Sequence, residues 1–195
     1  MEEIEVRRVR ETDASELATL LNEIISRGGT TALEEVFTPD ALARRLLIGP
    51  NVICCFVAVR RATRRLLGFQ SLERSHGLPD DIGDIGTFVR VGLTQRGVGS
   101  TLFMDTRTEA QRNKLRAINA TIRADNIGGH AFYDRMGFAH HRVQRAAHQR
   151  QHAIRQLRYR EIKLPALVQN PRRAQPRMLH VPHHADNLRT LDIND

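Results

Sequence analysis

The sequence predicts a mixed α/β (α+β) fold in which one sheet of about six to seven strands is flanked by four helices. Short apolar, β-branched runs of strand length alternate with stretches in which apolar residues recur every three or four positions. Glycine or proline separates the two kinds of stretch. The order is strand, two helices, three strands, helix, strand, helix and a pair of strands. At 195 residues, the chain can bury a sizeable core.

The first fifty residues predict one strand and two helices. Residues 4–9 alternate apolar and charged side chains, although imperfectly, as a strand does. Asp13 and Glu16 have the spacing of a capping box, which predicts a helix that ends at the glycine pair 28–29. Thr38 and the proline after it predict a second helix, which stops before the next Gly-Pro pair.

The remaining elements follow the same signals. The apolar run at 51–60 predicts a strand buried on both faces, and the strand at 66–73 forms an antiparallel hairpin with it. A loop rich in glycine, proline and aspartate leads to the central strand. The elements predicted from there onward are strand 84–91, helix 98–115, strand 117–122, helix 126–136 and the strand pair 139–147 and 154–164.

A glycine-rich turn, TQRGVGS at residues 94–100, joins the central strand to a long helix. Glycine lets a ligand approach the backbone closely, and the first N–H groups of a helix have no intrahelical partner. Together they favour an anion, so the stretch predicts a phosphate-binding turn.

Charge and cysteine usage narrow the class of protein. The net charge is +8, but the arginines are scattered and aromatic residues make up 5%, so no nucleic-acid partner is expected. No apolar run reaches the ~20 residues of a membrane span, and the first residues lack the apolar part of a secretion signal. Cys54 and Cys55 are adjacent in a strand, so they point to opposite faces and predict neither a disulfide nor a metal site. We expect a cytoplasmic protein.

The chain divides into a domain at residues 1–165 and a basic tail at 166–195. The tail contains proline, arginine and histidine without periodicity, so we expect it to be extended or disordered. The histidine pairs at 140–141 and 183–184 have no acidic or cysteine partner beside them, so no metal is expected.

Three motifs resemble those of the GNAT-type N-acetyltransferases, over about residues 3–164. TQRGVGS resembles the pyrophosphate-binding turn of that family, and Asn126 with the following AFYDRMGF resembles its Gly-Phe ending. NEIISRGGTTALEEVFTPDAL, together with QRGVGSTLF, is similar to the phosphinothricin-acetyltransferase-like branch. The resemblance implies a mostly antiparallel mixed sheet, acetyl-CoA as co-substrate and, as in many relatives, a homodimer.

The resemblance also implies roles for individual residues. Backbone groups of Phe88 and Val89 would bond the pantetheine arm, and Asn126 would contact it as well. Tyr133 would lie near the sulfur, where a phenol can stabilise the departing thiolate. The pyrophosphate would be held by the N–H groups of the turn, namely Arg96, Gly97, Val98, Gly99 and Ser100.

Asp84 falls where the phosphinothricin branch carries a glutamate proposed as general base. The attacking amine must be neutral, so a carboxylate should take its proton. Since aspartate is one methylene shorter, a water relay and the absence of a dedicated base are alternatives. Thr31 and Glu34 lie in a loop that borders the acceptor pocket in the similar branch.

Other interpretations of these residues and of the chain stay open. Tyr133 could be a core aromatic and Asn126 a helix N-cap, a role that is compatible with binding. The function indicated is acetyl transfer to a primary amine of a small, amino-acid-like molecule by direct attack in a ternary complex. Alternatives are acetylation of a protein or peptide, and a non-catalytic basic binding module on the same scaffold.

Overall fold

A seven-stranded sheet runs through the molecule in the order β1-β2-β3-β4-β5-β7-β6. The structure is a computed structural model and describes residues 3–93, 97–147 and 154–165. Every neighbouring pair of strands is antiparallel except β4 and β5, which are parallel, so the predicted mixed, mostly antiparallel sheet is confirmed. The strands are β1 Ile4–Arg8, β2 Val52–Arg60, β3 Leu66–Glu73, β4 Ile82–Val89, β5 Ala117–Arg123, β6 Ala139–Ala147 and β7 Ile154–Lys163.

The four predicted helices are present. Thr38 caps the second helix as predicted, because its Oγ1 accepts a hydrogen bond from the Ala41 N–H at 3.2 Å. That helix continues through a π-helical turn, Ala43–Leu47. The helices are α1 Ala14–Arg27, α2 Pro39–Leu42, α3 Val98–Arg112 and α4 Ile127–Arg135.

The helices form a layer on each face of the sheet. α1, α2 and the π turn bury leucines against one face, together with Cys55 and Phe88. α3 and α4 cover the other face, where Cys54 and Ile85 are buried. The prediction that strand 51–60 is buried on both faces is therefore confirmed, as is the opposite orientation of the two cysteines. Burial raises the pKa of the Cys54 thiol to about 12.

The predicted capping box of α1 is wrong. Asp13 makes no side-chain cap of α1. Its carboxylate instead accepts from Arg7 at 2.7 Å and from the Arg10 N–H at 2.7 Å, in the 3-10 turn Glu11–Asp13 that precedes the helix. Glu16 reaches across to the sheet, where it accepts from the Leu66 N–H at 3.2 Å and from Arg90 at 2.9 Å. An ion pair and a tertiary contact therefore occupy the two carboxylates that the local spacing assigned to the N-terminus of the helix.

Two elements, β4 and α3, differ from prediction by two or more residues at a boundary. β4 starts two residues before the predicted residue 84 and ends at Val89, since its first residues pair in parallel with the start of β5. α3 ends at Arg112 rather than at residue 115, and Lys114 then adopts a positive φ of 57°.

The predicted tail at 166–195 lies outside the described residues, as does the histidine pair within it. Among the helices of the described segments, none has the length and apolar character needed to span a membrane.

Candidate active site

β4 and β5 pair only at the start of β4. Their parallel register runs from Ile82 with Ala117 to Asp84 with Asn119. β4 continues to Val89 with β3 as its neighbour on one side. The other edge of β4 therefore faces a gap that opens directly after Asp84.

Strand alternation decides which amide groups face this gap. The N–H of Arg90 donates to the Leu67 carbonyl of β3 at 2.8 Å. Along a strand, successive residues direct their N–H and C=O groups to opposite edges, so those of Thr87 and Val89 point toward the gap. The geometry thus favours Val89 as the residue whose backbone bonds a ligand in the gap. The backbone of Phe88 points toward β3 instead. The Phe88 ring is buried and stacks on Phe69 at 4.8 Å between centroids.

The helix that follows the gap begins at a left-handed glycine. Gly97 has a φ of +82°, and its carbonyl accepts from the Thr101 N–H at 3.0 Å. By helix geometry the N–H groups of Val98, Gly99 and Ser100 have no intrahelical partner, which makes this end of α3 suited to an anion. The preceding part of the turn, which includes Arg96, lies outside the described residues.

A second reason for glycine appears at residue 99. A Cβ there would lie 2.9 Å from Cε2 of Phe132 on α4. Glycine at this position therefore allows the ends of the two helices to pack closely, quite apart from any ligand.

Two carboxylates lie side by side at the mouth of the gap. Asp84 is the cross-strand partner of Glu73 on β3. Nδ2 of Asn119, which is itself buried, donates to Asp84 Oδ1 at 2.7 Å. Arg45 of the π turn pairs with Glu73. Strand alternation places Asp84 on the same face as Phe88, the face covered by α1 and α2.

Both carboxylates hold their protons more tightly than usual. Burial raises the pKa of Asp84, opposed by hydrogen bonds from Asn119 and Thr121 and by the charge of Arg45. Burial also raises the pKa of Glu73, and the charge of Asp84 adds to this effect while Arg45 opposes it. Two desolvated, like-charged groups in contact form a site able to accept a proton.

Tyr133 of α4 lies on the opposite face of the sheet, in the apolar cluster of α3 and α4. Its hydroxyl is 2.9 Å from Thr87 Oγ1, on the part of β4 that borders the gap. Burial raises its pKa above the ordinary value, while the Thr87 hydrogen bond opposes the shift. The phenol is therefore a neutral hydrogen-bond donor at physiological pH.

The comparisons with known proteins agree with this geometry. Residues 19–138, more than half of the chain, match the model of the acetyltransferase (GNAT) family. The chain belongs to the GNAT family of acetyltransferases. It is therefore an acetyl-CoA-dependent N-acetyltransferase, in accordance with the predicted resemblance and enzyme class. Among curated protein sequences, none matches the chain.

Solved structures of low identity share the fold. A candidate phosphinothricin N-acetyltransferase superposes with a TM-score of 0.71 at 18% identity and covers 84% of this chain and 99% of its own. A ribosomal-protein-alanine N-acetyltransferase from Brucella melitensis gives 0.68 and 18%, covering 82% and 99%. The candidate acetyltransferase yncA from Salmonella typhimurium, solved with its cofactor acetyl-CoA, gives 0.71 and 15%, covering 84% and 95%.

Asn126 bonds two separate segments of the chain. Its Oδ1 accepts from the Gly129 N–H at 2.8 Å and so caps α4, as one of the interpretations of this residue predicted. Its Nδ2 donates to the Thr30 carbonyl at 2.7 Å. Asn126 therefore ties the loop after α1 to the start of α4. Each amide nitrogen carries two protons, so one remains for a further acceptor.

The loop that contains the two predicted acceptor residues is anchored at both ends. Asn22 of α1 bonds both backbone groups of Phe37, at 2.8 and 2.9 Å. Thr31 accepts from the Leu33 N–H at 3.1 Å, which is a local turn role. Glu34 is half-buried in the same loop. The roles of Thr31 and Glu34 at the acceptor pocket stay predictions.

Sequence reasoning missed the partners of the predicted residues. Glu73, Asn119 and Arg45 lie around Asp84. Thr87 bonds Tyr133, and Gln70 bonds Thr87 in turn. The register of β3 and β4 places Glu73 directly opposite Asp84 and would have identified it, but the sequence does not specify that register. In the described part of the chain, no group of three or more metal-binding side chains comes together.

Proposed function

We propose that this acetyltransferase transfers the acetyl group of acetyl-CoA to the primary amine of a small, amino-acid-like molecule, by direct attack in a ternary complex. The observation that carries the proposal is the gap between β4 and β5, with a carboxylate pair on one face and a phenol on the other. Acetyl-CoA supplies an activated thioester, which an amine attacks without a covalent enzyme intermediate.

The residues present fit a pantetheine arm and a diphosphate. The outward amide of Val89 would bond the arm as an added strand would. The N–H groups of Val98, Gly99 and Ser100 would hold the diphosphate, with Arg96 beside them. The free amide proton of Asn126 would reach the arm from α4.

Asp84 would take the proton that the acceptor ammonium must lose before it attacks. Its raised pKa brings its affinity for a proton closer to that of the amine, which improves the transfer. Asn119 supports this role because its hydrogen bond fixes the orientation of the Asp84 carboxylate.

The charges around the carboxylates support an amine that carries its own carboxylate. The Asp84–Glu73 pair attracts a cation. Arg45 pairs with Glu73 but keeps 56% of its side chain exposed, and its planar guanidinium has five N–H donors. A zwitterionic amine would thus find a complementary charge at each end.

The test is thiol release from acetyl-CoA with matched acceptors: free amino acids, the same amino acids as carboxyl amides, and peptides that begin with them. We expect turnover with the free amino acids. Arg45→Met should raise KM for these acceptors about tenfold or more, as expected for a lost charge-assisted bond, and leave KM for the amides unchanged. Turnover with peptides alone would contradict the proposed substrate class. Absence of turnover and of acetyl-CoA binding would contradict the reaction itself.

A further inference from the structure

We propose that Thr87, held by Gln70, is a positioning residue that directs the hydroxyl proton of Tyr133 into the gap between β4 and β5. The inference rests on the proposed function, since it concerns the group that faces the sulfur of acetyl-CoA. Gln70 and Thr87 are cross-strand partners on β3 and β4.

Three polar side chains form a chain through an otherwise apolar layer. Gln70 Nε2 is 2.8 Å from Thr87 Oγ1, which is 2.9 Å from the Tyr133 hydroxyl. Gln70 is fully buried and Tyr133 is 6% exposed. The rings of Phe132 and Phe138 contact Tyr133 edge-on, each with centroids 4.9 Å apart, and fix the position of the phenol ring.

Counting donors gives this chain a direction. The amide nitrogen of Gln70 only donates, so the oxygen of Thr87 accepts there. Across the 2.9 Å contact between the two hydroxyls either oxygen could be the donor, and a Thr87 that accepts from Gln70 has its one proton available for the Tyr133 oxygen. A Tyr133 hydroxyl that accepts from Thr87 has its own proton free to point elsewhere, toward the gap.

The orientation of the Gln70 amide therefore decides where the phenol proton points. With the amide rotated, Oε1 would accept the Thr87 proton, Thr87 would accept from Tyr133, and no proton would face the gap. In the structure Oε1 is buried and has no hydrogen-bond partner among the described residues. A buried, unpaired oxygen costs stability, and the hydrogen bond from Nε2 to Thr87 offsets part of that cost.

The chemical step defines what the directed proton does. The amine nitrogen bonds to the acetyl carbon, the C–S bond breaks, and the electron pair stays on sulfur. The ammonium form of the amine loses one proton to Asp84 before the attack, and Asp84 passes it to solvent. The second proton leaves the nitrogen after the C–N bond forms and goes to the same carboxylate. Tyr133 donates a hydrogen bond to the sulfur and keeps its proton, because a phenol holds its proton more tightly than a thiol does. The directed hydroxyl therefore stabilises the charge that forms on sulfur.

The principal experiment compares Thr87→Val with a matched control. Thr106 on α3 is also fully buried, and its hydroxyl has no partner among the described residues, so Thr106→Val removes a hydroxyl outside the chain. We expect Thr87→Val to lower kcat about tenfold with KM for acetyl-CoA unchanged, as for the loss of one charge-assisted hydrogen bond. Thr87→Ser should restore kcat. Equal kcat in the two valine variants would overturn the inference.

A double-mutant cycle separates positioning from simple structural support. In a Tyr133→Phe background, Thr87→Val should lower kcat no further, because the proton that it directs is gone. Additive losses would overturn the inference. If Thr87→Val does not fold, Gln70→Met removes the same orienting donor and is expected to show the same split between kcat and KM.

The outcomes also separate this inference from the proposed function. An active wild type with an unaffected Thr87→Val overturns the positioning role alone. A folded wild type that neither binds acetyl-CoA nor releases thiol with any amine overturns the proposed function, and the inference with it.

Discussion

The two faces of the sheet carry polar clusters of opposite character beside the same gap. On the face of α1 and α2, Asp84 and Glu73 are carboxylates whose pKa is raised by burial. On the face of α3 and α4, Gln70, Thr87 and Tyr133 form a neutral chain. Burial favours the uncharged form in both, but on one side this creates a proton acceptor and on the other it preserves a donor.

One hairpin supplies both clusters. Glu73 opposes Asp84 and Gln70 opposes Thr87 in the same register of β3 and β4. The two pairs are three residues apart, so strand alternation sends them to opposite faces. We infer that the amine binds and loses its proton on the acidic face, and that the sulfur of acetyl-CoA lies on the neutral face.

The largest expected effect comes from removing the acceptor on the acidic face. Asp84→Asn should lower kcat/KM about 100-fold or more, the usual contribution of a general base. It should also raise stability at neutral pH. Because the folded pKa of Asp84 is raised, ionisation costs the folded state free energy as pH rises from the unfolded value of about 3.9 through the folded one, and asparagine removes this cost. Thiol release and thermal unfolding measure the two effects.

Asp81 provides the control for Asp84→Asn. It precedes β4, is exposed, and pairs with Arg116, which lowers its pKa. Asp81→Asn should leave activity unchanged and should not increase the free energy of unfolding. An Asp84→Asn variant with wild-type activity would contradict the assignment of the base.

On the neutral face, Tyr133→Phe should lower kcat about tenfold to a hundredfold, the range expected for a hydrogen bond to a charged sulfur. The shape of the pH–rate profile should not change, because the phenol does not titrate in the working range. Asp84→Asn, in contrast, should remove the acidic limb of that profile. A shift of the acidic limb in Tyr133→Phe would contradict the assignment of the titrating group to the acidic face.

A smaller effect is expected at the start of α3. Ser100→Asp places a carboxylate in the first turn, which favours the helix but repels a diphosphate. We expect acetyl-CoA affinity, measured by calorimetry, to fall about tenfold at low salt and less at high salt, with stability unchanged or raised. Ser100→Asn is the uncharged control. Equal affinity in the two variants would place the diphosphate elsewhere.

The smallest effect concerns the anchoring of α4. His130 Nε2 donates to the Arg123 carbonyl at 3.0 Å, and its Nδ1 accepts from Arg160 at 3.2 Å; Asp134 pairs with Arg160. Burial and the charges of Arg160 and Arg158 lower its pKa. The stability that depends on neutral His130 is thus present above about pH 6.5 and is lost as pH falls below it. Urea unfolding should show that the free energy of unfolding falls more between pH 8 and pH 5 in the wild type than in His130→Asn.

Local patterns predicted the order of elements, and the resemblance assigned roles to Asp84 and Tyr133, which stay predictions. Hydrophobic periodicity sets which face of a helix or strand is buried, so the helices and strands could be predicted from the sequence. The partners could not, because Glu73 becomes the neighbour of Asp84 only through the register of β3 and β4. The loop between those strands spans eight residues, 74–81, and does not fix that register. The capping box of Asp13 and Glu16 failed because Asp13 bonds Arg7 and the Arg10 N–H before the helix, while Glu16 bonds the distant Leu66.

The most direct test of the account is amide hydrogen exchange along β4, with and without acetyl-CoA. The Thr87 and Val89 amides face the gap and should exchange rapidly in the free protein. We predict that acetyl-CoA slows the exchange of Val89 markedly, while the Phe88 amide, which faces β3, is protected in both states. Unchanged exchange at Val89 on saturation with acetyl-CoA would contradict the assignment of the gap as the binding site.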